Sequence, residues 1–184
     1  MFHQIIFILN VAIISMSQIF LMFKYLQQKK TSKFTGDLII YCVILSFLLY
    51  EHYFKLNIPD FILTCSVITV IGHTFVGSYL NIYYKSNYFD RYLHLFGSFS
   101  FSLLAFSIIN YITPLVNVSW IYTFLFVMTL GISIGVFFEI IEFVHDCFSK
   151  KIMCQHGLAD TDFDMIFNVF GSFIAGVVSI TIFL

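Results

Sequence analysis

The chain has 184 residues, of which 60% are hydrophobic and only 10% are charged, and its formal net charge is −1. Soluble globular domains carry roughly 25% charged residues, so this composition excludes an ordinary soluble domain and predicts an integral membrane protein. The sequence contains no basic patch with interleaved aromatic residues, which argues against nucleic acid as a partner. The partner that the composition predicts is the lipid bilayer.

Six apolar runs approach the length of about 20 residues that an α-helix needs to cross a bilayer. We therefore expect an all-α polytopic membrane protein, a bundle of six transmembrane helices in a single membrane domain over residues 1–184. The expected spans are about 5–23, 38–54, 61–82, 92–112, 119–146 and 163–183. The first run has no positively charged segment before it and no small-residue cleavage site after it, so it is expected to be retained as a span.

Lysine and arginine are distributed unevenly between the linkers, and this bias predicts the orientation of the chain. The linkers after the first, third and fifth spans hold Lys24, Lys29, Lys30, Lys33, Lys85, Arg91, Lys150 and Lys151. The opposite side holds only Lys55. The three basic linkers are therefore predicted to be cytoplasmic, and both termini to lie on the outer face of a plasma or inner membrane.

Residues 89–99 and 163–173 resemble each other, with six of eleven positions identical in register at an offset of 74. Each segment opens a span with an aspartate, places a polar residue four positions later, and continues with a Gly-Ser pair. The aspartates and polar residues are Asp90 with His94, and Asp164 with Asn168. Residues four apart share a face of an α-helix, so each span is expected to carry an acid, a polar residue and small residues on one stripe.

This similarity favours a parallel internal repeat of the hairpins 61–112 and 119–183. A pseudo-two-fold axis along the membrane normal would then bring the two segments face to face. The alternative is that the two aspartates only cap their helices, a role for which aspartate is well suited. Capping does not account for the polar residue one turn deeper in each span.

Further ionisable residues are predicted near the same cytoplasmic leaflet. Glu139 and Glu142 are three residues apart on the fifth span, and they must share a proton, meet a cation or reach Arg91 to avoid repulsion. His73 is about nine residues inside the third span, roughly 13 Å deep at 1.5 Å per residue. A salt-bridge network around the glutamates, and a simple interhelical hydrogen bond for His73, remain open as alternatives.

Segment 155–164 joins the last two spans and is dense in side-chain oxygen. Its aspartates at 160, 162 and 164 lack the Gly at the sixth position and the Glu at the twelfth position of an EF-hand, which excludes that calcium site. We expect a hairpin loop here, which either caps the helices or covers the polar site.

The candidate residues combine imidazole nitrogen with carboxylate oxygen, a donor set that suits zinc, iron or manganese better than magnesium. No HxxxH, HExxH or CxxC motif is present, so the cofactor is unknown and a divalent metal is the hypothesis. The expected metal ligands are His73, His94, Glu142 and Asp160. The expected catalytic residues are Glu139, Glu142 and Asp164. The expected remainder of the pocket is Asp90, Arg91, Asn168 and His156.

Five short motifs follow one another over about residues 70–176. They are Gly72-His73, the Phe-Asp-Arg-x-x-His segment at 89–94, the Glu pair at 139 and 142, Gln155-x-Gly157 and Asp160-Thr161-x-x-Asp164. In this order they resemble the YjdF-like family of bacterial inner-membrane proteins, although the loop before Asp160 is shorter than in that family. More distantly, the two aspartate segments look like those of VanZ-like proteins, which are associated with glycopeptide tolerance. The resemblance implies a membrane protein with a polar site, and it implies no particular reaction.

Together these patterns predict a His/Asp/Glu pocket near the cytoplasmic leaflet, which binds a divalent metal and processes a lipid or small molecule. In an enzymatic version, a metal-activated water attacks an ester with a glutamate as base. The alternatives are a carrier or proton-coupled transporter, a non-enzymatic envelope protein of VanZ-like type, and a scaffold whose polar groups only hold helices together.

Overall fold

A computed structural model of the protein describes residues 2–86, 88–148 and 157–183. Every regular element within these residues is helical, which confirms the expected all-α fold. The elements are α1 (Phe2–Gln27), α2 (Thr31–Phe54), α3 (Asp60–Ile71), a π-helical segment that continues α3 (Gly72–Tyr79), α4 (Ile82–Lys85), α5 (Phe89–Ile112), α6 (Trp120–Phe148) and α7 (Leu158–Phe183).

Six of the described helices are long and apolar enough to cross a membrane, which agrees with the number and order of the expected spans. They are α1, α2, α3 with its π-helical continuation, α5, α6 and α7. Most of them extend beyond the apolar runs by several residues. An apolar run marks only the part of a helix that lies in hydrocarbon. The polar helical turns at either end of a span therefore cannot be predicted from the length of the apolar run.

The start of α7 corrects one expectation. The segment expected as a hairpin loop is helical from Leu158, and Asp160 lies in the first turn of α7. A carboxylate in this position is stabilised by the positive end of the helix dipole. The loop expectation is therefore wrong for residues 158–162, which precede the expected span 163–183. His156 lies outside the described residues.

The chain packs as two compact units, Met1–Ser86 and Asn87–Leu184. The first unit contains α1 to α4, and the second contains α5, α6 and α7. The boundary falls inside the hairpin 61–112, so the compact units do not coincide with the two hairpins of the expected repeat.

In the first unit, α1 packs against α2, α3 and the π-helical segment. Aliphatic side chains such as Ile14 and Leu21 are completely buried between these helices. A buried hydrogen bond of 2.7 Å from Gln18 Nε2 to Thr74 Oγ1 joins α1 to the π-helical segment. Such bonds satisfy polar side chains that would otherwise meet lipid, and they hold helices in register.

In the second unit, glycines bring the three helices into close contact. A Cβ atom on Gly171 would overlap with the backbone carbonyl oxygen of Leu95, so α7 approaches the backbone of α5 directly. A Cβ atom on Gly135 of α6 would lie 2.5 Å from Cγ of Asn168. The Gly131-x-x-x-Gly135 stripe is buried, as its spacing predicts for close helix packing.

Candidate functional site

The two repeated segments face each other within the second unit. The rings of Tyr92 on α5 and Phe167 on α7 meet edge to face, with centroids 5.7 Å apart. Six residues later on α5, Ser98 Oγ donates a hydrogen bond of 2.5 Å to Asn168 Oδ1. The two segments are therefore in contact between α5 and α7, as the sequence predicts. The internal repeat and its pseudo-two-fold axis stay a prediction.

His94 is at the centre of a cluster of ionisable side chains. Its Nε2 atom lies 3.5 Å from Asp90 Oδ1, one turn earlier on α5, and 3.9 Å from Glu142 Oε1 on α6. Its Nδ1 atom lies 3.6 Å from Glu139 Oε1, also on α6. Each ring nitrogen of the imidazole therefore faces at least one carboxylate oxygen.

Asp164 of α7 completes this cluster, which we call the His94 cluster: Asp90, His94, Glu139, Glu142 and Asp164. The side chains of His94 and Glu139 are 9% and 6% exposed, whereas those of Asp90 and Glu142 are 20% and 24% exposed. Asp164 is 2% exposed, and its Oδ1 atom has no hydrogen-bond partner among the described residues. A buried carboxylate is costly unless it is protonated, paired or bound to a metal, so a shared proton, the charge of Arg91 or a metal ion would stabilise this arrangement.

Two overlapping sets within the cluster bring ligand atoms close enough for a metal ion. One set is Asp90, His94 and Asp164, and the other is His94, Glu139 and Glu142. In each set, one ligand atom from every residue lies within 4.8 Å of the others. The donors are one imidazole nitrogen and carboxylate oxygens, which together suit manganese, iron or zinc. His94 belongs to both sets, so the two sets share one ligand.

Two of the expected metal ligands lie outside these sets. His73 belongs to the first unit and lies on the π-helical segment, where its Nδ1 atom is 2.7 Å from the hydroxyl oxygen of Tyr83. Asp160 is half-buried, one turn before Asp164 on α7. Neither residue is a member of the two sets found among the described residues, so their roles as metal ligands stay predictions.

Arg91 lies near two aromatic rings. Its guanidinium carbon Cζ lies 4.1 Å from the ring centroid of Phe163 on α7 and 5.6 Å from that of Tyr88. Its Nε atom is buried and has no hydrogen-bond partner among the described residues. Nothing in the sequence pattern indicates this stacking, because contact between a cation and a ring follows no fixed spacing along the chain.

Ser98 and Asn168 lie near the imidazole of His94. Each is 3% exposed, and Asn168 is close enough to His94 to affect its electrostatics, while the Nδ2 atom of Asn168 has no hydrogen-bond partner among the described residues. The hydrogen bond from Ser98 fixes the orientation of that amide. The sequence signal for Ser98 is the Gly-Ser pair that both repeated segments contain, although the pair does not reveal which partner the hydroxyl selects.

Two further carboxylates are buried in the first unit, both on α2. Asp37 is 8% exposed and Glu51 is 1% exposed, and each has one oxygen without a hydrogen-bond partner among the described residues. Neither was among the expected site residues. The sequence signal for them was the occurrence of an acidic side chain inside or beside an apolar run, which is rare in membrane helices.

Comparisons with known proteins agree with a membrane protein. No solved structure matches the chain. The chain is 31% identical over 127 residues to an uncharacterized protein of Thermotoga maritima, a match that covers 67% of this chain and 64% of the relative. Residues 8–183 match the family described as "Predicted membrane protein (DUF2238)". Because this match covers nearly the whole chain, the protein belongs to that family of membrane proteins.

Proposed function

We propose that the second unit binds one divalent metal ion at the His94 cluster and that this ion takes part in the processing of a lipid or small molecule. The position of His94 carries the proposal. Its imidazole faces carboxylates of α5 and α6 through different ring nitrogens and belongs to both ligand sets. Three helices must pack in a defined arrangement to bring these groups together.

The charge of the cluster supports a cation. Four carboxyl groups surround one imidazole, and two of them, on Glu139 and Asp164, are almost completely buried. Like charges at short distance inside a membrane disfavour the ionised forms of their neighbours. A divalent ion would offset this repulsion and would provide the buried oxygen of Asp164 with a partner.

The carboxylates of the His94 cluster differ in solvent exposure, which supports different roles for them. Glu139 and Asp164 are the buried carboxylates, suited to holding an ion together with His94. Glu142 retains 24% side-chain exposure, so it is suited to exchanging a proton with a ligand or with water. A bound divalent ion would supply a Lewis acid that polarises the oxygen of a ligand.

The distribution of basic residues supports a particular orientation of the chain in the membrane. We propose a plasma or inner membrane location with both termini outside, so that the N-terminal ends of α5 and α7 lie at the cytoplasmic leaflet. The YjdF-like resemblance supports the membrane location, and the more distant VanZ-like resemblance supports a role in the cell envelope.

A second candidate function is a proton-coupled carrier. The buried carboxylates of Asp37 and Glu51 near opposite ends of α2 favour it. Ionisable side chains inside membrane helices commonly mark ion or proton pathways. In this alternative the first unit moves protons and the His94 cluster recognises the cargo.

Elemental analysis of the purified protein tests the metal proposal. We expect about one manganese, iron or zinc ion per chain, retained after exhaustive dialysis, and its loss in His94→Ala. His145→Ala is the matched control, because that imidazole is 54% exposed at the end of α6 and lies outside both sets. A wild-type protein that holds no metal, and takes up none when it is offered all three, would overturn the proposal.

Transport assays in proteoliposomes test the second candidate. If the protein is a proton-coupled carrier, an imposed pH gradient drives proton flux, and Glu51→Gln or Asp37→Asn stops it while the metal content stays unchanged. Equal flux in empty and protein-containing vesicles would exclude proton movement by this chain.

A further inference from the structure

Arg91 is held in a geometry that prepares it to bind an anion. Its guanidinium carbon Cζ lies over the ring of Phe163, 4.1 Å from the ring centroid. A cation–π contact of this kind restrains the guanidinium group without using its N–H bonds as hydrogen-bond donors. The side chain forms no ion pair within the described part of the chain, although its charge acts on the nearby carboxylate of Asp164. Its Nε–H is buried and has no acceptor there. Arg91 therefore keeps at least one hydrogen-bond donor that the described residues leave unpaired.

The Arg91–Phe163 pair lies close to the His94 cluster, because the charge of Arg91 acts on the carboxylate of Asp164. Arg91 follows Asp90 on α5, and Phe163 precedes Asp164 on α7, so both partners adjoin a member of the same ligand set. Arg91 is also in the first turn of α5, which begins at Phe89. The positive end of a helix dipole favours an anion at this position.

From this juxtaposition, we propose that the ligand of the His94 cluster carries a phosphate group, which Arg91 binds beside the metal ion. The proposal rests on the metal site proposed above and names the class of its ligand. A guanidinium edge matches two phosphate oxygens at once, and a divalent ion coordinates phosphate oxygen readily. A neutral substrate would offer Arg91 no charge-assisted hydrogen bond.

A phosphate at this site has two possible sources, the headgroup of a lipid or a water-soluble phosphate. The cluster lies towards the ends of α5, α6 and α7, and the side chains of Asp90 and Glu142 keep 20% and 24% exposure. A ligand from either source would approach through these exposed side chains. The two sources share their recognition chemistry, because Arg91 and the ion contact only phosphate oxygens in both cases. The experiment therefore contains one arm for each source.

The test uses the full-length protein, loaded with Mn²⁺ in a phosphate-free detergent. The first arm measures ³¹P relaxation of inorganic phosphate, and the second that of a short-chain phosphatidic acid. Paramagnetic Mn²⁺ broadens the phosphorus signal only when the phosphate binds near the ion. Competition by the matching diacylglycerol, which lacks the phosphate, controls for binding through the acyl chains. Manganese content is measured on every sample.

We expect the wild type to broaden the signal of at least one probe. Arg91→Gln should weaken that binding by about tenfold or more, as expected for the loss of a charge-assisted hydrogen bond, and should keep its manganese. Arg91→Lys should fall between the two, because lysine keeps the charge and loses the planar two-donor edge. Lys85→Gln, an exposed basic residue shortly before the start of α5, should bind like the wild type.

Each outcome decides the proposal. Broadening of phosphatidic acid alone assigns a lipid headgroup, and broadening of inorganic phosphate assigns a soluble source; both support the proposal. Wild-type protein that holds manganese and broadens neither probe overturns it and leaves the metal site standing. Arg91→Gln that binds phosphate as tightly as the wild type overturns it as well. Wild-type protein without manganese overturns the metal site first, and the phosphate proposal with it.

Discussion

The hydroxyl of Ser98 on α5 donates a hydrogen bond of 2.5 Å to the amide oxygen of Asn168 on α7. Both side chains are 3% exposed, and Asn168 is close enough to His94 to affect its electrostatics. Gly135 on α6 leaves the space that Asn168 occupies, since a Cβ atom there would lie 2.5 Å from its Cγ. Asn168 therefore takes part in close helix packing beside His94, and we expect it to help orient the imidazole.

Replacing Asn168 by alanine should weaken metal binding by about 10- to 100-fold, the usual effect of removing a residue that orients a metal ligand. The ion should still bind when its concentration is raised, because all members of the two ligand sets remain. Competition against a fluorescent metal indicator measures this change in affinity. Ser98→Ala should act in the same direction, and the double variant should be less than additive because the two residues act through one hydrogen bond.

Ser107→Ala is the matched control for Ser98→Ala. Its hydroxyl is also buried on α5, and it bonds to the carbonyl oxygen of Leu103 within its own helix at 2.8 Å. Its removal should leave metal affinity at the wild-type value. If Asn168→Ala and Ser107→Ala bind metal equally well, Asn168 does not orient His94.

Both ligand sets contain His94, and this shared residue predicts how many ions bind. Since both ligand sets need its imidazole, we expect a single binding event in calorimetric titration. Asp90→Asn and Glu142→Gln form a matched pair, because each removes one acid from a different set and the two side chains are similarly exposed, at 20% and 24%. Both variants should keep one ion at reduced affinity, whereas two ions per chain in the wild type would contradict a shared ligand.

Gly171→Ala should destabilise the second unit. The added methyl group would overlap with the backbone carbonyl oxygen of Leu95, which cannot rotate away as a side chain can. Overpacking of this kind typically costs about 1–3 kcal/mol, so the thermal midpoint in detergent should fall. Gly36→Ala is the control, because nothing lies within 4 Å of the position that its added methyl group would occupy, and it should unfold near the wild-type temperature.

The helices and the central pair of segments follow from patterns that are local in sequence. Apolar run length predicts each span, and the repeated Asp-x-x-x-polar spacing predicts that Asp90 and His94 share a face. The start of α7 at Leu158 is harder to predict from the sequence, because a run of acidic and small residues suits a loop and a first helical turn equally well. The stacking of Arg91 on Phe163 depends on how α5 and α7 meet, which no spacing within either helix encodes.

The buried acids of the first unit illustrate the same limit. Asp37 adjoins the margin of an expected span, where an acid is ordinarily solvated, yet its side chain is buried against neighbouring helices. Composition cannot distinguish a solvated aspartate from a buried one, because burial depends on which side of α2 meets α1. Contacts between helices are therefore the part of the candidate site that the sequence does not predict.

The orientation of the chain can be tested by cysteine labelling in intact cells. In a background where the four native cysteines are replaced, Thr113→Cys should react with a membrane-impermeant maleimide, because it is exposed in the connection between α5 and α6. Gln28→Cys, exposed after α1, should react only once the membrane is permeabilised. The excess of basic residues beside α1 predicts this difference. The opposite labelling pattern would show that the chain has the reverse orientation. The His94 cluster would then lie at the outer leaflet and would take its ligand from that side.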